Sequence, residues 1–484
     1  MAILTLQHFT ALTEQTVDLV AVAVTKPYDS ALALPFSAET SARLVAEAKR
    51  VEFDGALGSS VAVSGGPDAP WVALIGAGSD SPAKAFRRVG CKVVKVAREL
   101  KAKHAALVGT DGESARFATE GAILTSYQFL NHRTGAAAKP AEPSIFSIIA
   151  SESAAAHLVL GRELAESVVF ARDLANEHPG KCTPTWLGEK AEEIAARYGF
   201  EAVIKGDHEL ELEGFRLILA VGRGSHEPSR LIHLTYRGEG PIERRIALVG
   251  KGVTFDSGGY SLKPGDSIVG MHLDMGGAAA VLGTAEAIGR LRPKGIEVHF
   301  IVPSVENLVS GNAYRLNEVF TSYDGQTVEI LNTDAEGRLI LADALAYARS
   351  FEPDVIIDLA TLTGACVVAL GLETAGLSSN TNAFADELLA AADGADEALW
   401  RLPLAERLEE ALKSDVADLK NVGPRWGGAI SAALFLKRFV GTTKWAHIDL
   451  AGPAMAEREW EYINKGGTGF GVALLTEYLT RSEP

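Results

Sequence analysis

Cysteine is scarce. The 484 residues contain only Cys91, Cys182 and Cys366, far apart and odd in number, which argues against a disulfide framework and a cysteine-built metal site and leaves buried thiols as the expectation. Net positive charge is also missing: 62 acidic residues against 46 lysines and arginines give a formal charge of -16. The chain therefore has no global basic surface for phosphate binding. Its densest basic stretch, Lys84 to Lys103, carries Arg87, Arg88, Lys92, Lys95, Arg98 and Lys101 and reads as the solvated face of a helix. Nucleic acid is not an expected partner. Val17 to Val24 is too short an apolar run to span a bilayer, and the first positive side chain is Lys26, so the opening residues lack the basic region of a secretory signal. A cytoplasmic protein without a membrane partner is expected. There is no internal repeat and no low-complexity tract.

What remains is ordinary in bulk, 47% hydrophobic and 22% charged, and long enough for two cores. Toward the N-terminus strands alternate with helices: VDLVAVAV, a helix over Ser37 to Lys49, WVALIGAG, the basic helix, AALVG and SIFSIIA. That rhythm predicts a small α/β domain. A connection rich in alanine, proline and lysine at Gly135 to Pro143 precedes the last of these strands. A long helix from Ala155 to Ala175 leads onward, which places the domain boundary near 160: residues 1–160, then 161–484. The second part is expected to place strands at FRLILAV, RIALVG, VHFIVPS, VIIDLA and WAHIDLA, with helices over Ala278 to Leu291 and Leu339 to Ser350, giving a mixed sheet flanked by helices.

The chemistry concentrates in Asn332-Thr333-Asp334-Ala335-Glu336-Gly337-Arg338-Leu339, two acids and a cation just ahead of an apolar helical pattern. Residues two apart do not face each other on a helix, so Asp334 and Glu336 converge only from a loop or an irregular first turn. Taken alone, the run is better read as an acidic N-cap. A second cluster tips the balance: Lys251-Gly252-Val253-Thr254-Phe255-Asp256-Ser257-Gly258-Gly259, then Lys263-Pro264, then Asp274-Met275-Gly276-Gly277. The apolar run Ile246 to Gly250 reads as a buried strand delivering Lys251 and Asp256 at its C-terminal end, the edge where open α/β sheets bind ligands. The paired glycines permit positive φ and close backbone approach. Asp256, Asp274, Asp334 and Glu336 make an oxygen-rich site suited to divalent cations, and two dications would balance four carboxylates better than one. From the residues alone, Lys251 is more readily a salt-bridge partner of these acids than a ligand, and Lys263 and Arg338 could simply balance charge.

VGKGVTFDSGG, Lys263-Pro264, LDMGGAA and NTDAEGRL, in this order, resemble the M17 leucyl aminopeptidase family. Further similar segments run from about Val168 to Leu479: ARDLANE, AVGRGS, Glu306-Asn307, ATLTGA, GGAISAALFL and WAHIDLAG. The resemblance implies a macro-like N-terminal α/β domain and a zinc-exopeptidase-like α/β/α sandwich with a mixed central sheet, assembled as a homohexamer and acting on peptide substrates. It implies two divalent metal ions, Mn or Zn with Mg and Co as further candidates, one held by Lys251, Asp256, Asp274 and Glu336 and the other by Asp256, Asp334 and Glu336. Lys251 would then bind as the neutral amine. Lys263 would stabilise the oxyanion, and Arg338 would hold a bicarbonate as general base toward a metal-bridged water.

The same resemblance lines the side-chain pocket with Met271, Thr361, Gly364, Ala451 and Ala454, and puts Asn332, Leu362 and Gly364 near the peptide backbone. Thr361 to Ala365 could equally be no more than the loop that ends a strand. Apolar lining favours leucine or methionine, with broad selectivity; some relatives have methionine where this chain has Ala454, which leaves a roomier pocket. Two departures fall outside these positions: Asn317-Glu318 stands where glycine-aspartate is common, and Tyr260 where smaller residues are common. Some bacterial members also bind DNA, so a DNA-binding or scaffold role is the alternative.

Overall fold

The computed structural model describes residues 4–12, 17–30, 33–66, 69–79, 82–141 and 143–481; residue 142, in the connection expected at 135–143, lies outside them. Two units emerge, Met1–Val169 with Arg458–Lys465, and Phe170–Glu457 with Gly466–Pro484. The division falls inside one helix, Ala155–Asn176.

In the first unit the elements are β1 (Thr5–Phe9), β2 (Leu19–Thr25), α1 (Ala38–Arg50), β3 (Ser60–Ser64), β4 (Trp71–Gly78), α2 (Phe86–Leu100), β5 (His104–Val108), α3 (Gly112–Ser126), β6 (Ile145–Ile149) and the start of α4 (Ala155–Asn176). The sheet order is β1-β6-β5-β2-β4-β3, parallel except where β3 runs against β4. Alternate residues of β4 serve two cores: Ala73 and Ile75 pack with Val89, Val93 and Ala118 of α2 and α3, while Val72 and Leu74 pack with Leu44 and Ala48 of α1. Burial on both faces explains why WVALIGAG reads as a continuous apolar run.

The expectation of a solvated basic face on α2 is corrected. The helix packs against α3, where Gly90 makes room for the Ala118 carbonyl, and Arg87 is 3% exposed. Its cations meet acids of the same unit: Arg87 Nε donates to Glu120 at 2.7 Å, Arg88 Nε to Glu461 at 2.8 Å, and Lys95 lies 3.2 Å from Glu459. Periodicity marked a helix; the partners that neutralise it are too distant in sequence to see.

The second unit contains α5 (Pro184–Tyr198), β7 (Glu201–Lys205), α6 (Asp207–Glu213), α7 (Arg216–Gly222), β8 (Arg230–Arg237), β9 (Arg244–Gly250), β10 (Gly252–Asp256), the single turn α8 (Gly265–Ile268), α9 (Gly276–Leu291), β11 (Ile296–Asn307), β12 (Val319–Thr321), β13 (Thr327–Glu329), α10 (Gly337–Arg349), β14 (Val355–Ala360), α11 (Gly364–Leu370), β15 (Ala375–Ser379), α12 (Asn382–Ala395), β16 (Leu399–Arg401), β17 (Leu419–Lys420), α13 (Gly428–Lys437), β18 (Lys444–Asp449) and, after the β-bridged pair Met455–Ala456 and Gly466–Gly467, α14 (Val472–Thr480). Among the described residues the main sheet has nine strands, ordered β16-β15-β18-β14-β9-β11-β8-β7 with β10 beside β11. Strands β18, β14, β9 and β11 are mutually parallel, while β15 and β8 run against them. The sheet is mixed, as expected. Ala247 and Val249 of β9 join the core under α7, α10 and α13, and α9 contacts the strands together with α14 and α5.

Gly265–Leu291 has the length and hydropathy of a membrane-crossing helix. Within α9, however, Gly277 to Gly289 are buried, so this is a core helix.

One expected strand is a helix. FRLILAV begins α7, because a short apolar run has no period that separates a buried strand from a buried helix. The deciding group is remote: Asp343 Oδ2 on α10 accepts the Leu217 and Ile218 N–H at 2.9 and 3.1 Å, satisfying donors that a helix start leaves free.

Candidate active site

The C-terminal edge of the parallel strands carries the reactive side chains. Lys251 follows β9, Asp256 ends β10, Thr361 follows β14 and Leu450 follows β18. Asp274 stands on the turn between Met271–Leu273 and α9. Asp334 sits in the loop before α10, and Glu336 is the N-cap residue of α10 without a capping side-chain hydrogen bond. That irregular entry lets two acids spaced by two residues serve one site, where a regular helix would splay them.

Oxygens of Asp256, Asp274 and Glu336 lie within 4.8 Å of one another, all three residues buried. Two lysines thread the group. Lys251 Nζ is 2.7 Å from Asp274 Oδ1 and 2.9 Å from Glu336 Oε1, and donates to the Thr361 carbonyl at 3.0 Å. Lys263 Nζ is 2.8 Å from Asp256 Oδ2 and 2.7 Å from Asp334 Oδ1. Asp334 is the most open acid, its side chain 33% exposed. Burial lifts the carboxyls of Asp274, Glu336 and Asp334 above their ordinary values, the nearby Asp256 adding to the effect. Burial alone would depress Lys251 and Lys263; the surrounding carboxylates outweigh it and hold both ammoniums above the usual lysine range.

Packing fixes these groups. Asp256 Oδ1 accepts the Gly258 N–H and Asn307 Nδ2, both at 2.8 Å, leaving Oδ2 for Lys263. Asn307 also donates to the Thr333 carbonyl at 3.0 Å, and Tyr314 donates there at 2.6 Å. Thr333 Oγ1 donates to the Gly258 carbonyl at 2.7 Å and accepts the Ser261 N–H at 2.7 Å, fastening the Asp334 loop to the Asp256 loop. Gly258 and Gly259 have φ of +88° and +61°, as the tight turn requires. Gly276 and Gly277 are helical and use the other freedom that glycine gives. Gly277 is needed for close approach, since a Cβ there would lie 2.3 Å from the Leu359 carbonyl oxygen.

Arg338 is 8% exposed, and its Nη1 donates to the Asn421 carbonyl at 2.9 Å. Its buried Nε has no hydrogen-bond partner. Burial lowers the guanidinium to about 10 against the pull of Glu336 and Asp449.

The other expected site residues divide into contacts and neighbours. Thr361 Oγ1 donates to Asp274 Oδ1 at 2.7 Å, and Asn332 Oδ1 accepts the Asp334 N–H at 2.8 Å. A Cβ on Gly276 would meet Ala454 Cβ at 3.3 Å and Thr361 Cγ2 at 3.4 Å, so these two small walls adjoin. Leu362 and Ala451 share one anchor: Asp449 Oδ1 accepts their N–H groups at 3.2 and 3.3 Å. Gly364 opens α11 and is exposed, and Met271 is half-buried on the turn before Asp274.

Three further residues support the site. Asn421 accepts the Leu331 N–H at 2.9 Å and donates to the Asn332 carbonyl at 2.6 Å; nothing in its local sequence marks it. Asp449 lies in WAHIDLAG, and an acid at the end of a largely apolar strand is the available signal. Tyr314 had none. Of the two departures, Asn317 has φ of +66°, a left-handed position where glycine is favoured and asparagine is tolerated. Tyr260 donates to the Ser310 carbonyl at 2.9 Å.

Comparison with known proteins places the chain in a family. The catalytic-domain model of the cytosol aminopeptidase family matches residues 169–476, and that family's N-terminal-domain model matches residues 21–135. A probable cytosol aminopeptidase of Thermosynechococcus vestitus is 43% identical over 441 residues, 88% of each chain. One from Aquifex aeolicus is 43% identical over 403 residues, 82% of this chain and 81% of the relative. Among solved structures, a mutant of tomato leucine aminopeptidase superposes with a TM-score of 0.89 at 34% identity, covering 99% of this chain and 97% of that one. The bottromycin maturation enzyme BotP in complex with Mn gives 0.85 at 35%, covering 96% and 99%. The chain belongs to the cytosol aminopeptidase family. It is a metallo-aminopeptidase, a hydrolase acting at the N-termini of peptides.

Proposed function

We propose that this enzyme is a two-metal aminopeptidase that releases leucine, methionine and other N-terminal residues from peptides. The observation that carries the reading is the buried Asp256, Asp274 and Glu336 group, with Asp334 joined to it through Lys263. Buried Asp274 Oδ2 and Glu336 Oε2 have no hydrogen-bond partner, a costly arrangement unless a cation is meant to meet them. Hard carboxylate oxygens suit Mn, Zn, Mg or Co. Lys251, Asp256, Asp274 and Glu336 would hold one ion, and Asp256, Asp334 and Glu336 the other. A bound pair of dications would supply acidified water and charge stabilisation at the scissile carbonyl.

The chain's own groups do the rest. Lys251 must give up its proton to act as a ligand, so cation uptake releases protons. Lys263, held beside Asp256 and Asp334, would present its ammonium to the oxyanion of the tetrahedral intermediate. The unpartnered Nε of Arg338 fits a small anion, and a bicarbonate held there would supply a general base. Thr361, Ala454, Ala451, Gly364 and Met271 receive the side chain, while Asn332, Leu362 and Gly364 face the peptide backbone. A cytoplasmic homohexamer, with residues 1–160 as its N-terminal domain, completes the reading.

The test is metal stoichiometry. Metal-stripped protein titrated with Mn should take up two ions per chain, and Asp334→Ala only one with high affinity. A single ion in the unsubstituted protein would overturn the two-metal reading.

A further inference from the structure

A surface loop beside this site has no role in the chemistry above. Residues Val422 to Gly427 leave from Asn421, which is bonded to Arg338 and to the Asn332 carbonyl, and enter α13 at Gly428, where a Cβ would lie 3.1 Å from Ala365 Cβ. The loop thus runs from the Asn332 and Arg338 side of the site to the Gly364 and Ala365 side. Near its end Trp426 is 77% exposed, and the Arg425 guanidinium stacks 5.1 Å from its ring centroid. Among the described residues Arg425 has no carboxylate partner. The exposed indole offers an apolar face with a polar N–H at its edge, and stacking holds the guanidinium fork ready for a carboxylate.

Resting on the aminopeptidase reading, we propose that the Arg425 and Trp426 stack recognises the leaving-group side of short peptides. Trp426 takes an apolar side chain after the scissile bond, and Arg425 pairs with the free C-terminal carboxylate. A free C-terminal carboxylate lies close to the scissile bond only in short peptides, each extended residue spanning about 3.3–3.6 Å.

The experiment compares leucine amide, Leu-Phe and Leu-Phe amide as substrates of the full-length Mn-loaded protein, unsubstituted and as Arg425→Gln and Trp426→Ala, with sedimentation velocity on each. The unsubstituted enzyme should favour Leu-Phe over its amide. Arg425→Gln should raise the KM ratio of Leu-Phe to Leu-Phe amide about three- to fivefold, the scale of one exposed charge pair, with kcat steady. Trp426→Ala should raise the KM of both peptides relative to leucine amide. Unchanged ratios would overturn the proposal. So would a Trp426→Ala protein that sediments differently and loses all three activities equally, since Trp426 would then be a contact between copies of the chain. If the unsubstituted enzyme cleaves none of the three, the aminopeptidase reading fails first.

Discussion

Lys251 Nζ lies 2.9 Å from Glu336 Oε1, so the residue proposed as a metal ligand is also the cation that neutralises its fellow ligands. The two roles exclude each other in time. As an ammonium it has no lone pair, and as a ligand it leaves its charge to the incoming ion. Cation affinity should therefore climb with pH, and proton release on binding should be measurable in weakly buffered solution.

Gly337 has no side chain because Lys251 occupies that space. A Cβ there would sit 2.5 Å from Lys251 Cε and 2.7 Å from Nζ. Gly337→Ala should displace the amine and lower kcat/KM about a hundredfold while circular dichroism stays unchanged. Near-normal activity would mean that Lys251 is not held in place for the chemistry.

Arg338 spends one nitrogen on Asn421 and keeps Nε unpaired. Arg338→Ala should lower kcat about a hundredfold, the scale of a lost general base, and the remaining rate should ignore added bicarbonate. Assays in bicarbonate-depleted buffer should slow the unsubstituted enzyme and leave the variant as it was.

Ala454 and Thr361 both adjoin Gly276, and the proposed pocket takes a longer side chain because residue 454 is small. Ala454→Met should shift selectivity toward leucine amide over arginine amide by about 10- to 100-fold, read as the ratio of kcat/KM values. An unchanged ratio would remove Ala454 from the pocket.

Far from this chemistry, His233 is 5% exposed, 3.0 Å from His299 Nδ1 and 3.1 Å from the Tyr347 hydroxyl. Burial, with His299, Lys205 and Arg237 nearby, pushes it from 6.5 down to about 3. Between those values the unfolded chain binds more protons than the folded one, so stability is complete above pH 6.5 and is lost as pH falls. The loss is at most about 1.4 kcal/mol per pH unit. Urea denaturation at pH 7 and pH 5 should show it, and His233→Gln should flatten the dependence.

Asp256, Asp274 and Glu336, which the fold brings together, were legible because their motifs stand at the ends of readable elements, and β9 and β14 because their apolar branched runs lead directly into those motifs. Helix α7 was not legible: its start is capped by Asp343, 126 residues away. Asn421 was hidden for the same reason, since its partners at Leu331 and Asn332 are local only in space. The buried face of α2 was missed because Glu120, Glu459 and Glu461 neutralise it from elsewhere in the chain. Pattern reports what neighbours along the sequence share, and these features depend on long-range partners.

The most direct test of the two-metal aminopeptidase reading is hydrolysis of leucine p-nitroanilide by metal-stripped protein, before and after adding Mn or Zn, with Asp334→Ala alongside. Activity that returns with metal in the unsubstituted protein and fails to return in the variant is the expected result. No hydrolysis with any metal, across a panel of N-terminal residues, would contradict it.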